Sequence, residues 1–256
     1  MLISLTLLYH ALRVRSSARY VTYEVETVSL NGTTSIAQPP AQGSTIFRTL
    51  YLWACERLYH ELAPGYDIIS RFVSAGAWPA WRRTALPYIR GARVLEIGFG
   101  TGELLAEMAT LNTEQVVGQV VGLELSPEMQ AVAVRRLAAA GRTVPRVQAP
   151  AGAMPFAAGS FDAVVTTFPA PYILEPATLS ECARILDKGG RLVVAGLWVR
   201  ASNGSLGRTL PIFYADPPAG ILAQIARRVE QAGFHATWFS EVVGWAEVPV
   251  LVAELL

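Results

Sequence analysis

The stretch 94–102, which reads VLEIGFGTG, decides the fold of this chain. Its first residues, Val94–Ile97, are apolar apart from one glutamate, as expected of a short strand that is buried on both faces of a sheet. Three glycines then alternate with other residues immediately before the helical pattern ELLAEMATL. Glycines at a strand-to-helix turn leave bare backbone for a ligand, and the N–H groups at the start of the helix favour an anionic group. The stretch therefore predicts a nucleotide-type cofactor site at this turn.

The spacing of the glycines separates two kinds of cofactor. A dinucleotide fingerprint, G-x-G-x-x-G, would require glycine at position 103, where this chain has Glu103. A carboxylate there would repel a pyrophosphate, which argues against NAD and FAD. A second strand, QVVGQVVGLELS, carries Glu124 near its end, 22 residues after Gly102. An acid at this distance is suited to accept hydrogen bonds from both hydroxyls of a ribose.

The segment after Glu124 predicts a helix with well-marked ends. Ser126 is placed as the N-cap, Pro127 takes the first helical position and Glu128 lies in the first turn. Apolar residues recur through PEMQAVAVRRLAAAG until Gly141 ends the helix.

Four motifs in this order resemble one family. The pattern E-x-G-x-G-x-G over 96–102 resembles motif I of the class I S-adenosylmethionine (SAM) methyltransferases, in which the loop faces the methionine end of SAM. Residues 151–168 resemble the segment that carries the adenine pocket and the fourth strand. Residues 179–199 resemble the helix, Gly-Gly turn and fifth strand that follow, and residues 221–256 resemble a helix and a terminal hairpin. The ordered set is much more specific than any one motif.

The resemblance covers residues 55–256 and is nearest to the ubiquinone/menaquinone and phospholipid N-methyltransferase branch, because residues 59–76 look like that branch's cofactor-covering helix. It implies an α/β Rossmann-like three-layer sandwich whose seven-stranded sheet is mostly parallel with an antiparallel last strand. We expect this domain over 46–256 and a poorly ordered or interfacial segment over 1–45. The start of that segment is compatible with a signal sequence, an interfacial helix or a start codon assigned too early.

The resemblance also implies SAM as the cofactor and a set of residues that bind it. That set is Glu96, Gly98, Phe99, Gly100, Thr101, Gly102, Glu124, Leu125, Ala153, Met154 and Phe168. The chain departs from the family at Pro150, where many relatives carry an aspartate that accepts a hydrogen bond from the adenine amino group. Backbone groups of residues 151–154 are therefore expected to hold the adenine, with Met154 as an apolar wall.

The acceptor side is predicted from TTFPAPYILEP, residues 166–176. This position faces the reacting methyl group in the family, so Phe168 and Tyr172 are expected to line the acceptor wall. The segment lacks the acid or amide that enzymes methylating nucleobase amines carry there, which argues against a nucleic-acid acceptor. Arg82 and Arg83 are expected to pair with a phosphate or a quinone oxygen at the pocket mouth.

No general base stands out in the sequence. The candidates for catalytic residues are His60, Tyr66 and Tyr172. The ring of Tyr66 is expected either to cover the cofactor or to pack in the core. Asp162 is expected to anchor a turn.

An insertion rich in glycine and proline covers residues 200–220 and includes Phe213 and Tyr214. It is either a lid over the substrate or a plain surface connection.

Composition narrows the choice of partners. The formal net charge of +1 offers no general attraction for nucleic acid. The two cysteines and three histidines lack metal-ligand spacing, so we expect no metal and reduced thiols in a cytoplasmic protein. Hydrophobic residues make up 52% of the chain, yet no segment approaches the ~20 apolar residues that span a bilayer. Buried strands, an apolar substrate pocket or a membrane-facing patch would each explain this excess.

The leading hypothesis is a SAM-dependent methyltransferase that acts on a small, apolar or lipid-like acceptor, either a quinol or an amine, with peripheral membrane contact as an option. One alternative is an NAD-linked Rossmann oxidoreductase, and another is a SAM-binding protein without catalysis. Glu103 disfavours the first alternative, and the intact glycine loop and Glu124 disfavour the second.

Overall fold

The computed structural model describes residues 13–17, 20–24, 66–110, 118–201 and 220–256. Its strands are β1 (Arg13–Ser17), β2 (Tyr20–Glu24), β3 (Arg93–Ile97), β4 (Gln119–Leu123), β5 (Arg146–Val147), β6 (Phe161–Thr167), β7 (Leu186–Ala195), β8 (Arg200–Ala201), β9 (Phe234–Val243) and β10 (Ala246–Leu255). Its α-helices are α1 (Tyr66–Val73), α2 (Trp78–Arg82), α3 (Glu103–Met108), α4 (Pro127–Ala139), α5 (Pro176–Ile185) and α6 (Ile221–Gln231). Two 3₁₀ helices cover Arg83–Tyr88 and Pro171–Leu174.

Seven of these strands form the central sheet, in the order β5-β4-β3-β6-β7-β10-β9. Strands β1 and β2 extend it beyond β9, and β8 pairs with β10, so that the sheet has ten strands in the described residues. Strand β3 pairs in parallel with β4 and β6, and β6 pairs in parallel with β7. Strand β10 pairs antiparallel with both β7 and β9. A short turn at Gly244 joins β9 to β10, and only antiparallel neighbours can be joined so tightly. The predicted mostly parallel sheet with an antiparallel last strand is confirmed.

Helices cover both faces of this sheet because its strands are apolar on both sides. Leu95 and Ile97 of β3 pack into one core together with residues of α5 and α6. Val94, which directly precedes Leu95 and therefore points to the opposite face, packs into a second core together with residues of α3 and α4. The predicted three-layer sandwich is therefore confirmed, with the sheet as its middle layer.

The two ends of β3 serve different purposes. At its amino end, the Asp162 carboxylate accepts hydrogen bonds from the backbone N–H groups of Ala92 and Arg93, both at 2.8 Å. Asp162 thus anchors a turn, as predicted. At the carboxyl end, the glycine loop begins beside the tip of β4, since Gly98 N–H donates to the Leu123 carbonyl at 2.7 Å. Parallel strands bring the loops after β3, β4 and β6 to this one edge.

The helix that follows β4 has the predicted cap. The Ser126 side chain accepts a hydrogen bond from the N–H of Met129 at 3.1 Å, and Pro127 occupies the first helical position of α4. The helix ends at Ala139, and Gly141 follows with a positive φ of 64°.

Two segments differ in detail from the expectation. The Gly-Gly turn predicted before the fifth strand lies within β7 as an irregularity, because Phe161 pairs with Leu186 while Ala163 pairs with Arg191. Near the amino terminus, residues 13–17 are extended rather than helical and form a hairpin with β2, which pairs antiparallel with β9. The domain boundary predicted at residues 45–46 lies outside the described residues.

None of the helices in the described ranges combines the length and the apolar character needed to cross a membrane. Cys182, on the buried face of α5, is a free thiol whose pKa is raised to about 12 by burial. Cys55 lies outside the described residues.

Candidate active site

Glu124, immediately after β4, connects the glycine loop to the start of α4. One carboxylate oxygen accepts a hydrogen bond from Gly100 N–H at 3.0 Å, and the other accepts one from Ser126 N–H at 2.9 Å. Each carboxylate oxygen has a second lone pair, so Glu124 can still accept hydrogen bonds from a ligand. The acid predicted from its spacing therefore lies directly beside the loop.

The glycines of the loop meet different surroundings. At Gly98, an added Cβ would lie 2.4 Å from the Tyr172 hydroxyl, so only glycine lets that side chain cross the loop. At Gly102, it would lie 2.8 Å from the Cβ of Ala133 on α4. Gly100 has a φ of 54°, and no atom lies within 4 Å of its Cβ direction. The open space beside the loop is therefore above Gly100.

Glu96, near the end of β3, is a buried carboxylate. It is 2% exposed, and its Oε2 atom has no hydrogen-bond partner among the described residues. Burial raises its pKa to about 8, while the charge of Arg82 opposes this rise and the charge of Glu124 adds to it. A cationic ligand group nearby would stabilise the ionised form of this side chain.

The loop before β6 is held by α5. Glu181 accepts a hydrogen bond from Met154 N–H at 2.7 Å, and Arg184 donates one to the Met154 carbonyl at 2.9 Å. The N–H of Ala153 donates to the Pro150 carbonyl at 3.1 Å. The backbone groups of Met154 are thus engaged within the protein, and its side chain is buried in the core.

Phe168 follows β6 in a strained backbone conformation. Its φ of 50° is rare for a residue with a side chain, and such strain is frequent at functional sites. Its ring centroid lies 4.3 Å from that of Trp78, and Trp81 and Trp245 extend the same aromatic group. Trp78, Trp81, Phe168 and Trp245 are called the aromatic wall below.

Tyr172, in the second 3₁₀ helix, reaches back to the glycine loop. Its half-buried side chain places the hydroxyl over Gly98. Burial raises the pKa of this phenol above its ordinary value, and the negative charge of Glu124 raises it further. Tyr172 therefore stays protonated at neutral pH and is suited to donate a hydrogen bond rather than to remove a proton.

Comparison with known proteins places this geometry in a family. The family model for the methyltransferase domain matches residues 94–190. The demethylmenaquinone methyltransferase of Renibacterium salmoninarum is 31% identical over 207 residues, which are 75% of this chain and 83% of that protein. The chain belongs to the SAM-dependent methyltransferases.

The demethylmenaquinone methyltransferase of Thermus thermophilus is 38% identical over 142 residues, which are 54% of this chain. The match spans 63% of the length of that relative. A SAM-dependent methyltransferase from Thermotoga maritima has the same fold, with a TM-score of 0.53 at 20% identity over 77% of this chain and 98% of that one. The NAD-linked oxidoreductase alternative receives no support from these comparisons.

The described residues of this methyltransferase suit SAM in three respects. Glu124 has free lone pairs at the tip of β4 for the ribose hydroxyls. The space above Gly100 lies open, and the positive charge of the cofactor would stabilise the ionised form of Glu96, whose Oε2 atom has no hydrogen-bond partner among the described residues. Leu125, beside Glu124, is an exposed apolar side chain that can cover the adenine.

The structure also assigns other contacts to several residues of the predicted binding set. The Phe99 ring packs over Gly122 in β4 and is buried in the core, so only its backbone faces the loop. The Thr101 hydroxyl donates a hydrogen bond to Asp67 of α1 at 2.8 Å. Met154 is a core residue whose backbone groups bind Glu181 and Arg184, which leaves the exposed Ala153 at the surface of the loop.

The expectation for Arg82 and Arg83 is wrong. Arg82 is buried and pairs with Glu103 on α3, and Arg83 pairs with Glu107 on the same helix at 2.6 Å. Both guanidinium groups therefore serve to hold the segment after α1 against α3.

His60, Phe213 and Tyr214 lie outside the described residues, as does the side chain of Tyr66 at the start of α1.

Sequence reasoning missed two features of the site. One is Arg136, which lies on the same face of α4 as Met129 and Ala133, both buried. A charged residue on an apolar helix face indicates a buried partner, and here the partners are Asp67 and Thr101. The other is the aromatic wall, whose Trp78 and Trp81 come together through helical spacing of three residues.

A cavity of about 360 Å³ lies near the amino end of β3, away from the glycine loop at its carboxyl end. Its lining includes Arg90, just before β3, and the paired side chains of Arg191 and Glu254. No residue of the predicted cofactor or acceptor site lines it.

Proposed function

We propose that this protein transfers a methyl group from SAM to an apolar, quinol-like acceptor. The observation that carries the proposal is the aromatic wall at the carboxyl end of β6, the strand that pairs with β3, where Phe168 is held at a positive φ. An aromatic wall favours a flat apolar ring, because burying apolar surface gains roughly 25 cal/mol per Å². Demethylmenaquinone methyltransferase is the name of the relatives from Thermus thermophilus and Renibacterium salmoninarum, which agrees with this choice of acceptor.

Bound SAM supplies an electrophilic methyl group on a positive sulfonium. Glu124 would orient the ribose, and the cationic end of the cofactor would favour the ionised form of Glu96, whose pKa is raised to about 8 by burial. The aromatic wall would exclude water and align the acceptor ring, which is the main requirement for an in-line transfer. Tyr172, a neutral phenol, would donate a hydrogen bond to an acceptor oxygen. The acceptor atom would gain the methyl group and lose one proton to solvent, while the electron pair of the broken sulfur–carbon bond would stay on the departing S-adenosylhomocysteine.

We also propose a cytoplasmic protein that contacts the membrane peripherally. Ile68 and Phe72 are one helical turn apart on α1 and are 74% and 86% exposed. Two large apolar side chains on one exposed face suit contact with lipid, where a quinol acceptor would reside. Vesicle sedimentation tests this: I68S and F72S should reduce binding to lipid vesicles. The control V242S alters an exposed apolar residue on β9 and should leave binding unchanged.

A transfer assay tests the acceptor. Protein is incubated with SAM carrying a labelled methyl group and either a reduced naphthoquinone with a prenyl side chain or a water-soluble amine. Label in the naphthoquinol is the expected result. Efficient transfer to the amine alone would overturn the acceptor but leave the methyltransferase intact. No transfer and no binding of SAM or S-adenosylhomocysteine (SAH) would overturn the whole proposal.

A further inference from the structure

One cluster of three side chains joins α1, the glycine loop and α4. The Thr101 hydroxyl donates a hydrogen bond to Asp67 at 2.8 Å. One guanidinium nitrogen of Arg136 donates to the Thr101 carbonyl at 2.9 Å and to the Thr101 hydroxyl at 2.7 Å. The other guanidinium nitrogen forms an ion pair with Asp67. Each of the three residues therefore contacts the other two.

The surroundings of this cluster make it more than a surface ion pair. Thr101 is 1% exposed, and the side chains of Asp67 and Arg136 are both largely covered. A partly buried pair that shares a third polar partner is held in one geometry and is less screened by salt than an exposed pair. Removing one member would leave each of the other two without one of its partners.

The cluster acts on the part of the loop that the cofactor needs. Thr101 lies between Gly100, whose N–H donates to Glu124, and Gly102, whose N–H donates to the Phe99 carbonyl at 2.8 Å. The backbone of Thr101 is fixed by Arg136 through its carbonyl. A shift of Thr101 would therefore move the Gly100 N–H away from Glu124. It would disturb Glu124, which faces the ribose, and Gly100, which faces the open space.

We propose that Asp67 and Arg136 are positioning residues that hold the glycine loop in the conformation that binds the cofactor. Neither side chain needs to contact the cofactor, because both act through Thr101. This inference rests on the proposed function, since it assumes that the loop binds SAM.

A second ion pair between the same parts of the molecule provides the control. Arg71 of α1 lies 3.7 Å from Glu103 of α3, and the Arg71 side chain is 60% exposed. An exposed pair of this kind contributes little, so R71Q removes a link from α1 without disturbing the loop.

The test uses D67N, R136Q and T101V in the full chain, with R71Q as the matched control. SAH binding is measured by titration calorimetry, and KM for SAM and kcat are measured with the best acceptor found for the wild type. We expect each of the three variants to weaken SAH binding and to raise KM for SAM about tenfold or more, with kcat within about twofold. R71Q should change every value by less than about twofold.

The double variant D67N/R136Q distinguishes positioning from general damage. Because both residues act through one partner, the double variant should weaken SAH binding no more than the worse single variant. Additive losses, or normal SAH binding in all folded variants, would overturn the inference. If D67N does not fold, T101V and R136Q still test the inference, because T101V replaces one hydroxyl by a methyl group of similar size. A wild-type protein that binds neither SAH nor SAM would instead overturn the proposed function.

Discussion

At the scale of single residues, Glu124 has a double task. It holds the glycine loop and the start of α4 through two backbone N–H groups, and it would bind the ribose with its remaining lone pairs. We predict that Glu124→Ala weakens SAH binding by about 1–3 kcal/mol, the cost of losing hydrogen bonds to a charged group. Gly100→Val should be worse, because its side chain would fill the open space and resist a φ of 54°.

Titration calorimetry measures both variants, with thermal unfolding to show that they are folded. If both fold and bind SAH like the wild type, the cofactor site has been misplaced.

Glu96 predicts a pH dependence of stability. Its pKa is raised from the model-peptide value near 4.5 to about 8 by burial, so the folded protein resists ionisation of this side chain. The contribution of Glu96 to the free energy of unfolding should therefore be highest below about pH 4.5. It should fall as the pH rises towards 8. Because one pKa unit corresponds to about 1.4 kcal/mol, we expect a loss of roughly 1 kcal/mol or more between pH 5 and pH 8.

Urea unfolding of the cofactor-free protein at both pH values checks this. Glu96→Gln should largely remove the loss, whereas Glu230→Gln on α6 should keep it. A wild type as stable at pH 8 as at pH 5, with an unchanged profile in Glu96→Gln, would contradict the prediction.

At the scale of elements, a substitution at the cap of α4 should change the stability of the fold without changing the binding of SAH. Ser126 uses its side chain to cap the helix and its backbone N–H to bind Glu124. Ser126→Ala removes only the side-chain contact, so it should lower the free energy of unfolding by about 1 kcal/mol. SAH binding should stay within about twofold of the wild type. A large loss of binding with unchanged stability would mean that the cap is not the role of this side chain.

The elements around the glycine loop could be predicted from sequence because every local signal agrees. Apolar runs gave β3 and β4, and Ser126 with Pro127 marked the start of α4. What could not be predicted depends on contacts between distant segments. Nothing near Phe99 shows that its ring will pack over Gly122.

The partners of the charged residues near the site also could not be predicted, because they lie on distant segments of the chain. The neighbours of Arg82 along the chain do not reveal that its guanidinium meets Glu103 on α3. The Asp67–Thr101–Arg136 cluster is built from three segments, so its members become partners only once the sheet has brought those segments together.

At the scale of the whole molecule, the seven-stranded sheet carries both halves of the proposed site. The hairpin β1–β2 pairs with the outer strand β9, far along the sheet order from β3 and β4. We predict that deleting residues 1–44 leaves the fold and SAH binding intact. The exposed edge of β9 should make the shortened protein more prone to self-association. Circular dichroism, calorimetry and light scattering measure these effects, and loss of folded, SAH-binding protein would contradict the prediction.

The most direct test of the central claim is the choice between cofactors. Titration calorimetry of the full chain with SAH, SAM and NADH asks which adenosine-containing ligand the site accepts. The position of Glu124, the glycine spacing and Glu103 predict heat of binding from SAM and SAH and none from NADH. Binding of NADH, with no heat from either SAM or SAH, would contradict the account.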